Sequence, residues 1–134
     1  MIPEDLQYTR GHLWVRRNGE TATLGLTEPM VRRLAPLITV ELPDPDDDVM
    51  VEIAFGEVEG HAETHHLYSP VEALVSEVND ELMWNQRKLL TDPYGKGWLI
   101  KIKVPEEAQW QELLSAEQYR RLCIEAWGEQ FEDE

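Results

Sequence analysis

Two β-rich runs open the chain, residues 12–17 and 21–26, separated by Asn18-Gly19. Both separating residues tolerate positive φ, so the pattern predicts a hairpin. Thr27 then stands where a helix cap belongs, with Glu28 near the positive end of the helix dipole and Pro29 where a missing N–H costs nothing. The predicted helix runs to Leu34 and is stopped by Pro36. Alternation returns over residues 37–42, and the Pro- and Asp-rich run 43–48 predicts a solvated turn. Two apolar-rich stretches, 49–58 and 67–78, flank a polar bend at 60–66 and are expected as strands entering and leaving it.

Residues 79–90 fit no single period, whereas Pro93, Gly95 and Gly97 mark a turn. Trp98, Ile100, Ile102 and Val104 then alternate with Lys101 and Lys103, predicting a half-buried strand. The spacing of Trp110, Leu113 and Leu114 predicts one short helix, and Ser115-Ala116-Glu117-Gln118 has the form of a capping box for a second. In that second helix Tyr119, Leu122, Cys123 and Ala126 form the expected inward stripe, ended by Gly128. The order of elements is mainly β with short helices, in one domain over residues 1–127 followed by an acidic tail, 128–134, expected to fray.

Charge narrows the function classes. The net charge of −15, from 27 acidic and 12 basic residues, repels a phosphate backbone or an anionic membrane, so neither nucleic acid nor membrane is an expected partner. The lone cysteine, Cys123, excludes an internal disulfide, and no apolar N-terminal run of signal-peptide type is present, which together predict a cytoplasmic protein. No residues tie a nucleophile to a base, so no catalytic residue and no enzymatic activity are expected.

The stretch FGEVEGHAETHHLYSP, residues 55–70, resembles the lipoyl-bearing hairpin of the glycine cleavage system H protein family, where a run close to FG-VVESVKAAS-D-LYSP presents one lysine. YTRGHLWV at 8–15 is similar to the family's YTxxHxWV, TLGLT at 23–27 to its TxGIT, and VELP at 40–43 to its VELP. Val78-Asn79 followed by DPYGKGWL at 92–99 is similar to its VN and DPYGxGWL. The likeness runs from about Tyr8 to Leu122 and implies a lipoyl-domain-like flattened barrel-sandwich of two antiparallel sheets with C-terminal helices. It also implies departures. The lipoyl lysine falls on Ala62, a serine on Gly60, and two turn glycines on Asp46 and Glu52, while His61, His65 and His66 replace other residue types.

A lipoyl group is held through an amide to a lysine ε-amine, which Ala62 lacks. The expectation is therefore a chain without a lipoyl cofactor, working as a binding or regulatory module on proteins, among them enzymes that recognise lipoyl-domain surfaces. The alternative is a carrier of an aminomethyl group, with lipoyl at an unusual lysine or held non-covalently. Of Lys88, Lys96, Lys101 and Lys103, Lys96 lies in a turn and suits an arm best. A further alternative is a metal site at the hairpin tip, drawing on His61, Glu63, His65 and His66, although adjacent strand residues point to opposite faces. Trp84 and Trp127 are candidate partner anchors.

Overall fold

The computed structural model describes residues 1–128 and 131. Its frame is two antiparallel sheets. A six-stranded sheet runs in the order β1 (Gln7–Tyr8), β2 (Leu13–Asn18), β3 (Thr21–Leu26), β9 (Ile100–Lys103), β8 (Ala73–Val78), β5 (Asp48–Val49). A three-stranded sheet runs β4 (Leu37–Glu41), β6 (Gly56–Gly60), β7 (Thr64–Leu67). The expected sandwich of two antiparallel sheets is thus the observed fold class.

The first hairpin forms with Leu13 opposite Leu26 and Asn18 opposite Thr21. Only Gly19 of the two turn residues takes positive φ, 62°, because Asn18 stays in the ladder and the loop is Gly19-Glu20. Within this hairpin Trp14 faces Gly25, and a Cβ at position 25 would land inside the Trp14 indole. The missing side chain lets the indole lie flat on its neighbour strand, fully buried, with Nε1 donating to the Pro93 carbonyl at 2.9 Å.

The helix α1 (Glu28–Leu34) begins where expected, but Thr27 makes no side-chain cap. Its hydroxyl bonds the Tyr119 phenol at 2.7 Å, and the Glu28 N–H donates to the Tyr94 phenol instead. A long-range partner has won the hydroxyl that local capping would use.

Both long apolar stretches break. Residues 49–58 divide into β5 and β6, which belong to different sheets, and residues 67–78 divide into the end of β7 and β8. The second break is fixed by Ser69, whose Oγ donates to the Val71 carbonyl at 2.6 Å and accepts from the Val71 N–H at 3.2 Å. Pro70 in between has no N–H for a ladder. Ahead of β5, Asp46 adopts φ 74°, so an aspartate does take left-handed geometry where the resemblance places a glycine.

The ambiguous segment becomes a 3-10 turn, Asp80–Met83, and a short helix α2 (Arg87–Thr91). The strand expected at 98–104 is shorter, with Ile100, Ile102 and Val104 buried and Trp98 half-buried. Of the two C-terminal helices only α3 (Ala116–Trp127) forms, with the Ser115/Gln118 capping box in place and Gly128 at φ 58° after it. Residues 105–114 stay irregular because Leu114 is claimed by β1: its N–H donates to the Tyr8 carbonyl at 2.7 Å and Tyr8 returns the bond at 2.9 Å. Tyr119 and Cys123 of α3 point inward as expected, but Ala126 is exposed and Trp127 turns in. The expected fraying of the acidic tail falls largely outside the described residues.

The main core lies between the sheets, built from side chains such as Leu24, Val58, Leu67, Val75 and Ile102. A second core under α3 gathers Ile2, Leu6, Tyr8, Trp14, Tyr119 and Cys123. It seats the C-terminal helix beside the loop between β1 and β2, next to the hairpin described below.

Candidate functional site at the β6–β7 hairpin

Strands β6 and β7 pair with Gly56 opposite Leu67 and Glu59 opposite Thr64. The Gly60 N–H closes the bend by donating to the Glu63 carbonyl at 2.8 Å. His61, Ala62 and Glu63 are exposed at the apex. The tip does not stand free of the body. His61 N–H donates to the Pro36 carbonyl at 3.0 Å, and Glu63 pairs with Arg33 of α1 at 3.3 Å. Gly60 has no room for a side chain, since a Cβ there would meet the Leu34 carbonyl. The absence of a side chain at position 60 therefore lets the bend lie directly on the end of α1.

The tip histidines separate. His65 is half-buried, its Nε2 donating to the Gly11 carbonyl at 2.7 Å, so its proton is on that nitrogen. His66 points to the other face, 3.9 Å from Glu57, and His61 is exposed. Among the described residues no three histidine, cysteine, aspartate or glutamate side chains gather as a metal-binding group. The alternation of strand side chains scatters the His61, Glu63, His65 and His66 set that the sequence clusters.

What the structure does gather is His65 with His12 of the YTRGHLWV run. The two rings meet edge to face at 5.7 Å, and His12 Nδ1 lies 2.8 Å from the Tyr119 phenol, which also bonds Thr27. Trp127 stacks on His12 with ring centroids 4.9 Å apart, and the Arg33 guanidinium lies over Trp127 at 5.2 Å. Trp127, read from the sequence as a candidate partner anchor, is thus half-buried and packs within the chain. Burial, the neighbouring His65 and Arg33 together push the His12 pKa down to about 4, and burial also lowers His65. Burial raises the Tyr119 phenol far above its ordinary range. At neutral pH the chain of Thr27, Tyr119 and His12 is thus uncharged, and the phenol can donate to imidazole while accepting from threonine.

Trp84 is different. It is 70% exposed at the end of the 3-10 turn, with Met83 and Leu90 also exposed. Its backbone N–H donates to the Glu81 carbonyl at 3.1 Å, while its indole has no ring, cation or hydrogen-bond partner among the described residues.

The residues at the apex do not fit a lipoyl amide, because Ala62 offers a methyl group at the turn and its neighbours there are His61 and Glu63. Of the four lysines, Lys88 pairs with Glu81 at 2.9 Å and Lys101 with Glu77 at 3.5 Å while lying over Trp98. Lys103 projects from β9, inside the six-stranded sheet. Lys96 is exposed in the turn between Gly95 and Gly97, its backbone N–H held by Asp92 and its side chain without an ion pair among the described residues.

Comparison with known proteins gives one consistent answer. A family model described as "Glycine cleavage H-protein" matches residues 6–126. A glycine cleavage system H protein of Staphylococcus carnosus is 39% identical over 124 residues, 92% of this chain and 98% of that protein. One from Rubrobacter xylanophilus is 42% identical over 124 residues, 92% and 96% of the two chains. The crystal structure of a glycine cleavage system H protein from Mycobacterium marinum superposes with a TM-score of 0.81 at 30% identity, covering 90% of this chain and 97% of that one. These matches correct the expectation of a chain that works without a cofactor: the matched proteins are glycine cleavage H proteins, a family that carries lipoate covalently.

Proposed function

Because this chain belongs to the glycine cleavage H-protein family, we propose that it serves glycine cleavage as an H-protein-type carrier that docks on the system's enzymes, with its lipoyl group attached away from the hairpin apex. The observation that carries this reading is the extent of the match. It spans residues 6–126, so every strand and nearly all of α3 are shared with the family, and the relatives are covered almost end to end. An arm needs an exposed amine on a bend, and Lys96 is the lysine that meets both conditions. No helix among the described residues is long and apolar enough to cross a membrane.

The test is intact mass and peptide mapping after co-expression with a lipoyl ligase and free lipoate. One added lipoyl group, mapped to Lys96 and absent in Lys96→Arg, supports the reading. A mass unchanged under conditions that modify a relative with an apical lysine rejects covalent attachment.

A specific observation favours a second reading, a docking module for the same enzymes. The apex carries a methyl group and is tied down by Arg33 and the Pro36 carbonyl, which suits a fixed contact surface. Competition with a lipoylated H protein for those enzymes tests the docking, and restored turnover in a system depleted of H protein tests the carriage.

A further inference from the structure

A concavity lies away from the hairpin, and no residue from 56 to 67 lines it. It is a groove of about 800 Å³ between two unlike walls. One wall is the β5–β8 pair at the end of the larger sheet, Asp48 and Val49 of the two-residue β5 lying opposite Leu74 and Ala73 of β8. The other is the irregular segment 105–111, fixed by the Ala108 N–H on the Pro105 carbonyl at 3.0 Å and the Gln111 N–H on the Pro70 carbonyl at 2.8 Å. Trp110 on that wall is held by the Arg17 guanidinium, 4.3 Å from its ring centroid. Met50 and Leu74, 41% and 39% exposed, supply further apolar surface.

The charge of the groove is one-sided. Asp48, Glu72 and Glu107 line it, all exposed, and no lysine or arginine is among the lining residues, although Arg17 over Trp110 and Lys103 opposite Leu74 flank it. None of the three carboxylates has an ion-pair partner among the described residues. Apolar surface beside an end strand, ringed by unpaired carboxylates, complements an extended chain with apolar side chains on one face and basic ones on the other. Such a chain is selected by its alternate side chains, apolar towards Met50, Leu74 and Trp110 and basic towards the carboxylates.

We propose that this groove docks an extended, lysine- or arginine-bearing segment of a partner protein, laid alongside β5. The occupant is fixed by charge. A second copy of this chain brings another net −15, and the chain's own tail carries Glu129, Glu132, Asp133 and Glu134, so both are repelled. Nucleic acid is repelled in the same way. The proposal does not depend on where a lipoyl group is attached.

The experiment uses the full chain and a short fluorescein-labelled peptide of alternating lysine and valine, followed by fluorescence anisotropy. Saturable binding that weakens with salt is expected, as is a loss of about tenfold or more in the double variant Glu72→Lys/Glu107→Lys. The double variant Glu20→Lys/Glu125→Lys makes the same change in net charge on exposed residues outside the groove and is expected to keep most of the affinity. Amide shifts on titration should concentrate in β5 and residues 105–111. Equal losses in the two double variants, equal binding of an alternating glutamate and valine peptide, or no saturable binding overturns the proposal.

Discussion

His65 on β7 and Gly11 in the loop after β1 are 54 positions apart, yet the imidazole donates to the Gly11 carbonyl at 2.7 Å. The β6–β7 hairpin is thereby tied to the turn that also presents His12. Replacing His65 by phenylalanine keeps a ring of similar size but leaves the carbonyl without its donor. A loss of about 1–3 kcal/mol is expected in urea unfolding. His66→Phe, whose side chain is exposed and 3.9 Å from Glu57, should change stability by less than about 0.5 kcal/mol.

Acid should loosen this same region. His12 titrates near its ordinary 6.5 when unfolded but at about 4 when folded, so the unfolded chain binds the proton first as pH falls. Stability is complete above about pH 6.5 and declines towards pH 4, with His65 adding in the same direction. The His12 contribution is on the order of 2–3 kcal/mol. Melting temperatures between pH 7 and pH 4.5 measure it, and a His12→Gln variant should show a flatter profile.

The Tyr119 hydroxyl bonds both His12 and Thr27. Tyr119→Phe should therefore destabilise by about 1–3 kcal/mol. In a cycle with Thr27→Val the two losses should fall short of additivity by at least about 0.5 kcal/mol, since each removes the same bond. Strict additivity would show that the phenol and the threonine act independently.

Restoring an amine at the apex tests the bend itself. Residue 62 is exposed and takes no part in the contacts made by Gly60, His61 and Glu63, so Ala62→Lys should fold with little change in stability. On co-expression with lipoyl ligase the variant should gain a lipoyl group mapped to position 62. Failure to modify a folded variant would show that the surrounding His61, Glu63 and His65 also set the tip apart from a ligase substrate.

Trp84 is a further candidate for enzyme contact. With 70% of it exposed, Trp84→Ala should leave stability within about 0.5 kcal/mol of the parent. If it anchors a glycine cleavage enzyme, affinity should drop by about tenfold or more in calorimetric titration. Unchanged affinity would remove it from the interface.

Local signals carried much of the fold. Asn18-Gly19 marked the first hairpin, Pro29 and Pro36 bracketed α1, and Ser115 with Gln118 set the start of α3, because each acts within a few residues of itself. Misread elements were those decided at long range. Thr27 looked like a cap but bonds Tyr119, 92 positions away, and the helical spacing of Trp110 and Leu114 gave way to a bridge with Tyr8. At the site, the hairpin and the position of Ala62 were legible from the motif. The meeting of His65 with Gly11 and His12, and the turning of Trp127 onto His12, were not, since no periodicity encodes contacts between β7, a distant loop and the end of α3.

The strand order has a consequence for synthesis. β8 and β9 are inserted between β3 and β5, so the larger sheet is woven from the two ends of the chain. A nascent polypeptide that has emerged only as far as β7 holds β5 with no neighbour and β3 with one side open. Folding of that sheet must wait until Lys103 has left the ribosome, and a truncated product ending before it should be degraded or captured by chaperones rather than persist as a half-formed domain.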